Sequence, residues 1–576
     1  MDDLSVEAIH TNVELNDRKN EEFIPGTCNI YSNTFDGNET DPTSGQPLKR
    51  KGNLILIPQP SDSCNDPLNW SLARKALNIF ILTFITGFTA ATSNDAGATQ
   101  DSLNEIYGIE YSSMNTGAGV LFASIAISTF ILTPLASIYG RKLSYFICIT
   151  MGMIGAIWFS RAKTTTDTIW SQLFVGVSES CAEAHVQLSL TDLSFFHSLG
   201  SVLTLYILAT SIGTFLGPLI AGFIVQYTNF RWVGYVAAII SFVLLLVIVF
   251  VMDETYFDRS KFKNSVIQSY SSAESVTHND EKPKNGQKIQ SVDFDDSADL
   301  QSRTQDLSAY VTEGAHEPRK PYWQRKQLIT LASNVKGTGF KQYCTQLRML
   351  FKVFMYPPVI FGGLVWGIQD ALLTFYLTVE DDNYYDAPYN YSNTGVALMN
   401  VPTLIGAVIG CFYAGTLSDY FTIWMAKRNK GIQEAESRLW FLILPGVFAP
   451  IGLVCFGLGT DRDWHWGATY FALGLVGFGF GCSGDVSMSY LMDAYPDMVI
   501  EMMCGVAVIN NTIGCIFTFA CSPWLDAMGI TNSLIILAVI EAIIMLSCIV
   551  FIYYGKRIRI WTKPWYLEFC ESRDKI

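Results

Sequence analysis

A dozen apolar segments, each about twenty residues long, constrain this chain more than any other feature of its sequence. A helix of that length spans roughly 30 Å, which is the hydrocarbon thickness of a bilayer. The segments are continuously apolar rather than alternating, which favours helices over a membrane β-barrel. Only 16% of the residues are charged, against roughly 25% in soluble proteins. The sequence therefore predicts an all-α polytopic membrane protein in contact with the lipid bilayer.

The apolar segments form two sets of six that are separated by a long polar stretch. The first set is expected at residues 76–96, 114–138, 143–161, 168–190, 200–225 and 232–252, and the second at residues 354–379, 394–418, 439–459, 466–491, 502–524 and 532–554. Such internal duplication is typical of transporters built from two halves around a central cavity.

This organisation predicts five regions along the chain. They are an N-terminal tail at 1–70, a first six-helix bundle at 71–253, a central loop at 254–350, a second six-helix bundle at 351–555 and a C-terminal tail at 556–576. Residues 1–70 are polar and lack periodicity, so loose attachment or disorder is expected there. The N-terminus shows no apolar core of a cleavable signal peptide.

Lys and Arg residues beside the spans predict the orientation of the protein in the membrane. They cluster in Arg74-Lys75, Arg141-Lys142, the central loop and Lys556-Arg557, which places these segments and both termini in the cytoplasm. The loops on the other side are rich in acids, and one of them carries the sequon Asn390-Tyr391-Ser392, so glycosylation of Asn390 is expected. Two interpretations of the acidic loops remain open: simple solvation, and a vestibule that concentrates cations.

Five motifs resemble those of the major facilitator superfamily, in particular its fungal drug:proton antiporter branch with twelve spans. They read NDPLNWSLARK (65–75), LASIYGRK (135–142), GTFLGPLIAG (213–222), DETYFDR (253–259) and GTLSDYF (415–421). The resemblance implies two six-helix bundles around a central cavity, lined by the first, fourth, seventh and tenth spans. In the fifth span, Gly213, Gly217 and Gly222 would allow close helix packing, and Pro218 would kink the helix.

Other stretches resemble fungal polyamine uptake transporters, which implies polyamines, histidinol and other organic cations as substrates. These stretches read ATSNDAG (91–97), SQLFVGVSESCAEA (171–184), WGIQDALLTFYLT (366–378), MNVPTLIGAVIGC (399–411) and GCSGDVSMSYLMDAYPDM (481–498). Two positions depart from the superfamily pattern. Ser137 stands where the loop signature has an acid, and Gln172 stands where antiporters have an arginine linked to proton handling. The second departure argues against a standard proton-antiport drug exporter.

Acids inside the predicted spans supply the candidate substrate-binding residues, which are Asp95, Glu179, Glu183, Asp370 and Asp485, with Trp366 as an aromatic partner. A charged residue in the bilayer usually faces a cavity or a partner, and the spans contain almost no Lys or Arg to neutralise these acids. Glu179 and Glu183 are four residues apart and share a helix face, so one shared proton is expected when the site is empty. Trp366 precedes Asp370 by one helical turn, which suits cation–π contact beside an ion pair.

The alternative is that some of these acids are protonated and purely structural, and a gating role competes for Asp485. The sequence favours a plasma-membrane importer of polyamines that works by alternating access and is driven by the membrane potential. Whether protons are cotransported stays open, as do a drug:proton antiporter and a non-transporting nutrient sensor. We find no catalytic motif, cofactor fingerprint or metal spacing, and the net charge of −14 gives no signal for nucleic acid.

Overall fold

The computed structural model describes residues 24–29, 49–51, 54–56, 58–61, 63–257, 318–332, 335, 337–385 and 388–574. Within these ranges the fold is almost entirely helical, with four short strands in two antiparallel pairs. One pair joins Thr27–Asn29 to Ile432–Glu434, and the other joins Arg50–Lys51 to Leu54–Ile55. Most of the predicted N-terminal tail and most of the predicted central loop lie outside the described residues.

Twelve long helices, α1 to α12, make up most of the described chain. The first six are α1 Leu72–Asn94, α2 Tyr111–Ile138, α3 Arg141–Ser160, α4 Thr165–Ser180 with its continuation Cys181–Val186 and Gln187–Leu193, α5 Phe196–Tyr227 and α6 Arg231–Phe250. The second six are α7 Pro357–Asn383, α8 in the consecutive segments Asn393–Leu398, Asn400–Cys411, Phe412–Leu417 and Ser418–Arg428, α9 Pro445–Asp461, α10 Trp466–Ala494, α11 Val499–Met528 and α12 in the segments Ile530–Leu546 and Cys548–Asp574. Shorter helices lie at Pro67–Asn69, Gly97–Thr99, Gln100–Tyr107, Tyr322–Arg325, Phe340–Leu350, Phe351–Met355, Ala435–Leu442 and Pro496–Met498.

The predicted all-α polytopic fold is confirmed. Among the described residues, 11 helices are long and apolar enough to cross a membrane. Each overlaps one predicted span, with ends that differ by a few residues in several cases, and the fourth predicted span falls on α4. Helix α4 is not among the 11 because it carries Glu179, Glu183 and several hydroxyl side chains, which lower its hydropathy.

The two halves repeat the same helix packing. In the first half α1 packs on α5 and α2 packs on α4, and in the second half α7 packs on α11 and α8 on α10. A Cβ atom at Gly217 of α5 would lie 2.7 Å from Cα of Ala91 in α1, so these two backbones are in direct contact. Helices α2 and α11, together with α5 and α8, join the halves. A hydrogen bond of 2.9 Å from Asn115 Nδ2 to Ser522 Oγ links α2 to α11.

The end of the bundle where α1 begins and α12 ends is called the terminal face here, and several of its buried charges form ion pairs. The Arg438 guanidinium lies 2.6 Å from the carboxylates of both Asp419 and Asp493. The fully buried Arg559 forms a two-point ion pair with Glu436, at 2.6 and 2.8 Å. Such bidentate pairs satisfy the polar groups that a protein interior would otherwise leave without water.

Residues 63–70 are packed against the first half rather than loosely attached as expected. Leu68 and Trp70 are buried, and Asp66 is fully buried, with its Oδ1 accepting a 3.0 Å hydrogen bond from the Leu68 backbone N–H. Trp70 Nε1 donates to the Asn65 carbonyl at 3.2 Å. The polar composition was misleading here because the polar side chains satisfy one another within a short turn.

Part of the predicted central loop is also packed at the terminal face. Asp253 lies 2.6 Å from Arg74 of α1 and 2.8 Å from Lys326 of the loop. Burial disfavours the charged form of Asp253, but the hydrogen bonds and charges of Lys326 and Arg74 outweigh it, so the pKa of this carboxyl lies below its ordinary value. This triad fastens the described end of the loop to the first half.

Candidate functional site

Helix α4 changes its geometry at the segment that carries the two glutamates. It begins with a capping box in which Thr164 and Asp167 bond reciprocally, and it is α-helical to Ser180. From Cys181 to Val186 it winds as a π-helix, and it returns to α-helix at Gln187. A π-helical turn widens the helix by one residue and occurs mostly at functional sites. Glu183 lies within this turn, and Glu179 lies just before it.

A central cavity of about 160 Å³ lies between the two halves. Its wall includes residues of α1, α2, α4, α5, α7, α8, α10 and α11. It extends from the middle of the bundle towards the end opposite the terminal face, where Gln100, Tyr385 and Val396 belong to its wall. At the terminal face, the halves meet through hydrogen bonds from Thr204 to Asp485 (2.9 Å) and from Ser201 to Asp419 (3.0 Å).

Three predicted acids meet in the cavity, which are Glu179, Glu183 and Asp370. The two glutamates come from α4 of the first half, and Asp370 comes from α7 of the second half. Glu183 interacts electrostatically with Glu179 and with Asp370, and Asp370 interacts with Glu179. The cluster therefore spans the interface between the halves, so one cation can contact both.

The wall of the cavity is rich in hydrogen-bond acceptors without protein donors. Among the described residues that line it, none is Lys, Arg or His. Glu183 Oε2, Gln172 Oε1 and Asn400 Oδ1 are buried and have no hydrogen-bond partner among the residues that the structure describes. Gln172 is only 6% exposed and Asn400 only 4%. A desolvated acceptor of this kind costs about 1–3 kcal/mol, so a ligand that brings N–H donors and positive charge is favoured there.

Trp366 forms an aromatic part of the cavity wall. Its ring lies 4.8 Å from that of Phe480, centroid to centroid, and both residues line the cavity. A Cβ atom at Gly484 would come within 2.5 Å of the Trp366 ring, so the indole packs directly on the backbone of α10. The predicted neighbourhood of an aromatic ring and a carboxylate on α7 is therefore present.

Two predicted site residues lie outside the central cavity. Asp95, at the C-terminal end of α1, borders a separate cavity of about 20 Å³ within the first half, together with Gly152 and Ser178. Asp485 is 1% exposed and accepts hydrogen bonds from Thr204 (2.9 Å) and Ser489 (3.2 Å). The structure brings neither of these acids to Glu179 and Asp370.

The four motif residues of α5 lie in two places, two of them against α1 and two at the central cavity. Gly213 and Gly217 are buried against α1, where any side chain would collide with the facing backbone. Pro218 and Gly222 line the central cavity, and helix α5 continues through Pro218. Asn390 is exposed in the loop between α7 and α8, where its Nδ2 donates a 3.4 Å hydrogen bond to the Pro388 carbonyl.

Two features of the site escaped the sequence analysis. The seventh predicted span ends at residue 379, which leaves Glu380 in an acidic loop, but Glu380 belongs to α7, is 1% exposed and lines the cavity. Its spacing of ten residues from Asp370 is about 2.8 helical turns, which places the two acids roughly 80° apart around the helix, so both can border one wide cavity. The π-helical turn of α4 had no sequence signal that we recognise.

Two helical halves around a central polar cavity are the architecture of many membrane transporters. The chain belongs to the Major Facilitator Superfamily, whose pattern matches residues 79–519. It is therefore a transporter and not an enzyme.

Similar proteins agree with this assignment. The chain is 53% identical to Protein HOL1 of Saccharomyces cerevisiae over 97% of this chain and 99% of that protein. It is 44% identical to an uncharacterized MFS-type transporter of Schizosaccharomyces pombe, over 96% of each. Among solved structures, the proton:xylose symporter XylE is 14% identical, covers 84% of this chain and 97% of its own, and superposes with a TM-score of 0.54. That last similarity shows the fold alone.

Proposed function

We propose that this transporter imports polyamines and related organic cations across the plasma membrane, with both termini in the cytoplasm. The observation that carries the proposal is the meeting of Glu179, Glu183 and Asp370 in a cavity whose described wall contains no basic residue. Amine cations supply the positive charge and the N–H donors that this wall lacks. The resemblance of the surrounding sequence to polyamine uptake transporters supports the same substrate class.

The membrane potential supports import rather than export of such a substrate. A potential of 100 mV, negative inside, favours the entry of each positive charge by about 2.3 kcal/mol. A trivalent amine thus gains roughly 7 kcal/mol on entering the cell. An exporter would have to overcome this energy with several protons per cycle, and Gln172 replaces the arginine that the resemblance links to proton handling. Uptake measured with the potential clamped at zero tests whether protons are cotransported: persistent dependence on the proton gradient would support symport, and its absence would leave a uniporter.

The test is uptake of labelled spermidine by cells that lack their own carrier. We expect saturable uptake by the unmodified protein. Glu179→Gln and Glu183→Gln should each lower kcat/KM by about 10- to 100-fold, because a hydrogen bond to a charged group contributes roughly 1.5–3 kcal/mol.

The matched control is Glu541→Gln, which also neutralises a buried acid. Glu541 lies outside the cavity wall and accepts a 2.9 Å hydrogen bond from Gln369, which a glutamine at 541 can also accept. Its uptake should remain within twofold of the unmodified protein at equal surface expression. Drug resistance without polyamine uptake would favour the exporter, and binding without any transport would favour the sensor.

Orientation and glycosylation are proposed together, because both require the loop that carries Asn390 to be extracellular. We expect a glycosidase to increase the electrophoretic mobility of the unmodified protein but not of Asn390→Gln. An unchanged mobility in both would remove the support that the sequon gives to this orientation.

A further inference from the structure

Resting on the proposed function, we propose that Glu380 is a second anchor that lets the cavity select amines by length. We call the end of the cavity in the middle of the bundle its inner end, and the end opposite the terminal face its outer end. In this arrangement Glu179, Glu183 and Asp370 hold one ammonium group at the inner end. Glu380 holds a distant ammonium group of the same molecule near the outer end.

The course of the cavity along α7 supports two separated subsites. Its wall includes Trp366, Asp370 and Glu380 of this helix. The two acids are ten residues apart, which corresponds to about 15 Å along the helix axis. Between them the wall consists of side chains without charge, namely Leu373, Thr374, Leu377 and Thr378. Two carboxylates separated by an apolar and hydroxyl-bearing wall match ammonium groups separated by methylene chains.

An independent observation in the outer half of the cavity points to a ligand with N–H donors. Asn400, on the neighbouring helix α8, is 96% buried in a wall that also contains Glu380, and within the described part of the chain its Oδ1 has no hydrogen-bond partner. Its Nδ2 makes only a long contact of 3.5 Å with the Ala397 carbonyl. An amide oxygen left without a donor in this position is satisfied by an amine that extends beyond the inner acids.

Length then decides which amines reach both anchors. The two carboxylates are about 15 Å apart along the helix axis. A contact of about 2.8 Å between each carboxylate and its ammonium nitrogen leaves roughly 9 Å between the two nitrogens. The end-to-end length of an extended chain of single bonds grows by about 1.2 Å with each bond. On that scale the terminal nitrogens of putrescine, spermidine and spermine lie about 6, 11 and 16 Å apart. Putrescine fills the inner subsite alone, whereas spermidine and spermine reach Glu380.

The experiment compares uptake of putrescine, spermidine and spermine by the full-length protein and by Glu380→Gln. We expect the KM for spermidine and spermine to rise about tenfold, with the KM for putrescine changed less than twofold. The control is Glu105→Gln, which neutralises an exposed acid at the same end of the bundle but outside the cavity wall. It should leave all three KM values unchanged.

An equal change for all three amines, or no change for any of them, would overturn the length-selection proposal. If Glu380→Gln does not reach the cell surface, Glu380→Asp provides the test, because it keeps the charge and withdraws it by one methylene. Its spermidine-to-spermine preference should shift towards spermine, and an unshifted preference contradicts the proposal. If the unmodified protein transports none of the three amines, the proposed function fails instead.

Discussion

Buried acids at the terminal face and buried acids in the central cavity differ in their partners. At the terminal face Asp493 is paired with Arg438 and Glu436 with Arg559, each at 2.6 Å. In the cavity Glu183 and Asp370 face other acids, and no basic residue belongs to the described wall. Buried carboxylates thus occur in two environments, and among the described residues the pairs at the terminal face have opposite charges whereas the cavity wall has none.

From this difference we infer a structural role for the paired acids at the terminal face and a transport role for the acids in the cavity. An ion pair that is complete within the protein fixes helices in one arrangement and has nothing to exchange with solvent. Under the proposed function, acids without a cationic partner among the described residues bind a cation from outside and release it when the cavity opens to the other side. Under the proposed function a bound cation would bridge the halves, because Glu179 and Asp370 belong to different halves. The predictions below remove a partner from one environment or add one to the other.

The largest effect is expected from Arg438→Gln at the terminal face. The change leaves Asp419 and Asp493 buried together without a cation, and breaking a buried pair in this way costs about 3–5 kcal/mol. We expect little folded protein at the cell surface and a clearly lower melting temperature in detergent.

A double variant distinguishes loss of charge balance from loss of packing. In Arg438→Gln with Asp493→Asn, one uncompensated charge is removed, and part of the lost stability should return. A double variant no more stable than Arg438→Gln would mean that the shape of the arginine, rather than its charge, holds this face together.

The opposite change supplies the cavity with a cation of its own. Thr374 lines the cavity one helical turn after Asp370 and donates a 3.1 Å hydrogen bond to the Asp370 carbonyl. In Thr374→Lys a tethered ammonium group competes with substrate at an effective concentration in the mM range. We expect kcat/KM for spermidine to fall roughly 100-fold, with the melting temperature unchanged or raised.

Thr374→Met is the control, because it has a long side chain without charge. It should retain most of the uptake. Equal losses in the Lys and Met variants would show that the site is blocked by size, and the distinction between internally paired and unpaired acids would lose its functional meaning.

The sequence predicted the elements that depend on hydropathy and on helix periodicity. The twelve spans could be placed because continuous apolar runs leave few alternatives in a bilayer. Glu179, Glu183 and Asp370 could be brought to one cavity because the resemblance supplied the order of the lining helices. The close contact at Gly217 was likewise expected from a small residue in a membrane helix.

Features that depend on three-dimensional detail could not be predicted. The π-helical turn at Cys181–Val186 changes the phase of α4 by one residue, and no local composition specifies it. Asp95 lies at a helix end, where a small rotation directs it into a different cavity from the one expected. Glu380 was assigned to a loop because the acids that follow it in the sequence resemble a solvated surface. Residues 63–70 appeared tail-like because side-chain bonds within a turn leave no periodic pattern.

A smaller effect, dependent on pH, is expected at Asp253. The pKa of this carboxyl is held below its ordinary value of 3.8 by Lys326 and Arg74, in spite of burial. A lowered pKa in the folded protein contributes stability above the ordinary value, and this contribution is lost as pH falls through the folded value. Asp253→Asn should therefore lower stability by about 1–3 kcal/mol at neutral pH.

The measurement is the difference in melting temperature between Asp253→Asn and the unmodified protein across pH. The difference should be constant above about pH 5 and shrink as pH falls below 4. A difference that grows towards acid pH would mean that the triad does not hold Asp253 ionised.

The smallest effect is expected from Lys556→Gln, which breaks an exposed ion pair. Lys556 Nζ lies 2.7 Å from Glu434 Oε1, but the two side chains are 46% and 31% exposed. Water already solvates both charges, so the pair should contribute only about 0.2–1 kcal/mol, and its effect should vanish at about 1 M salt. Thermal unfolding at low and high salt measures both expectations. The pair at Arg438 is as short but almost fully buried, so equal losses in the two variants would show that burial does not decide which ion pairs stabilise the terminal face.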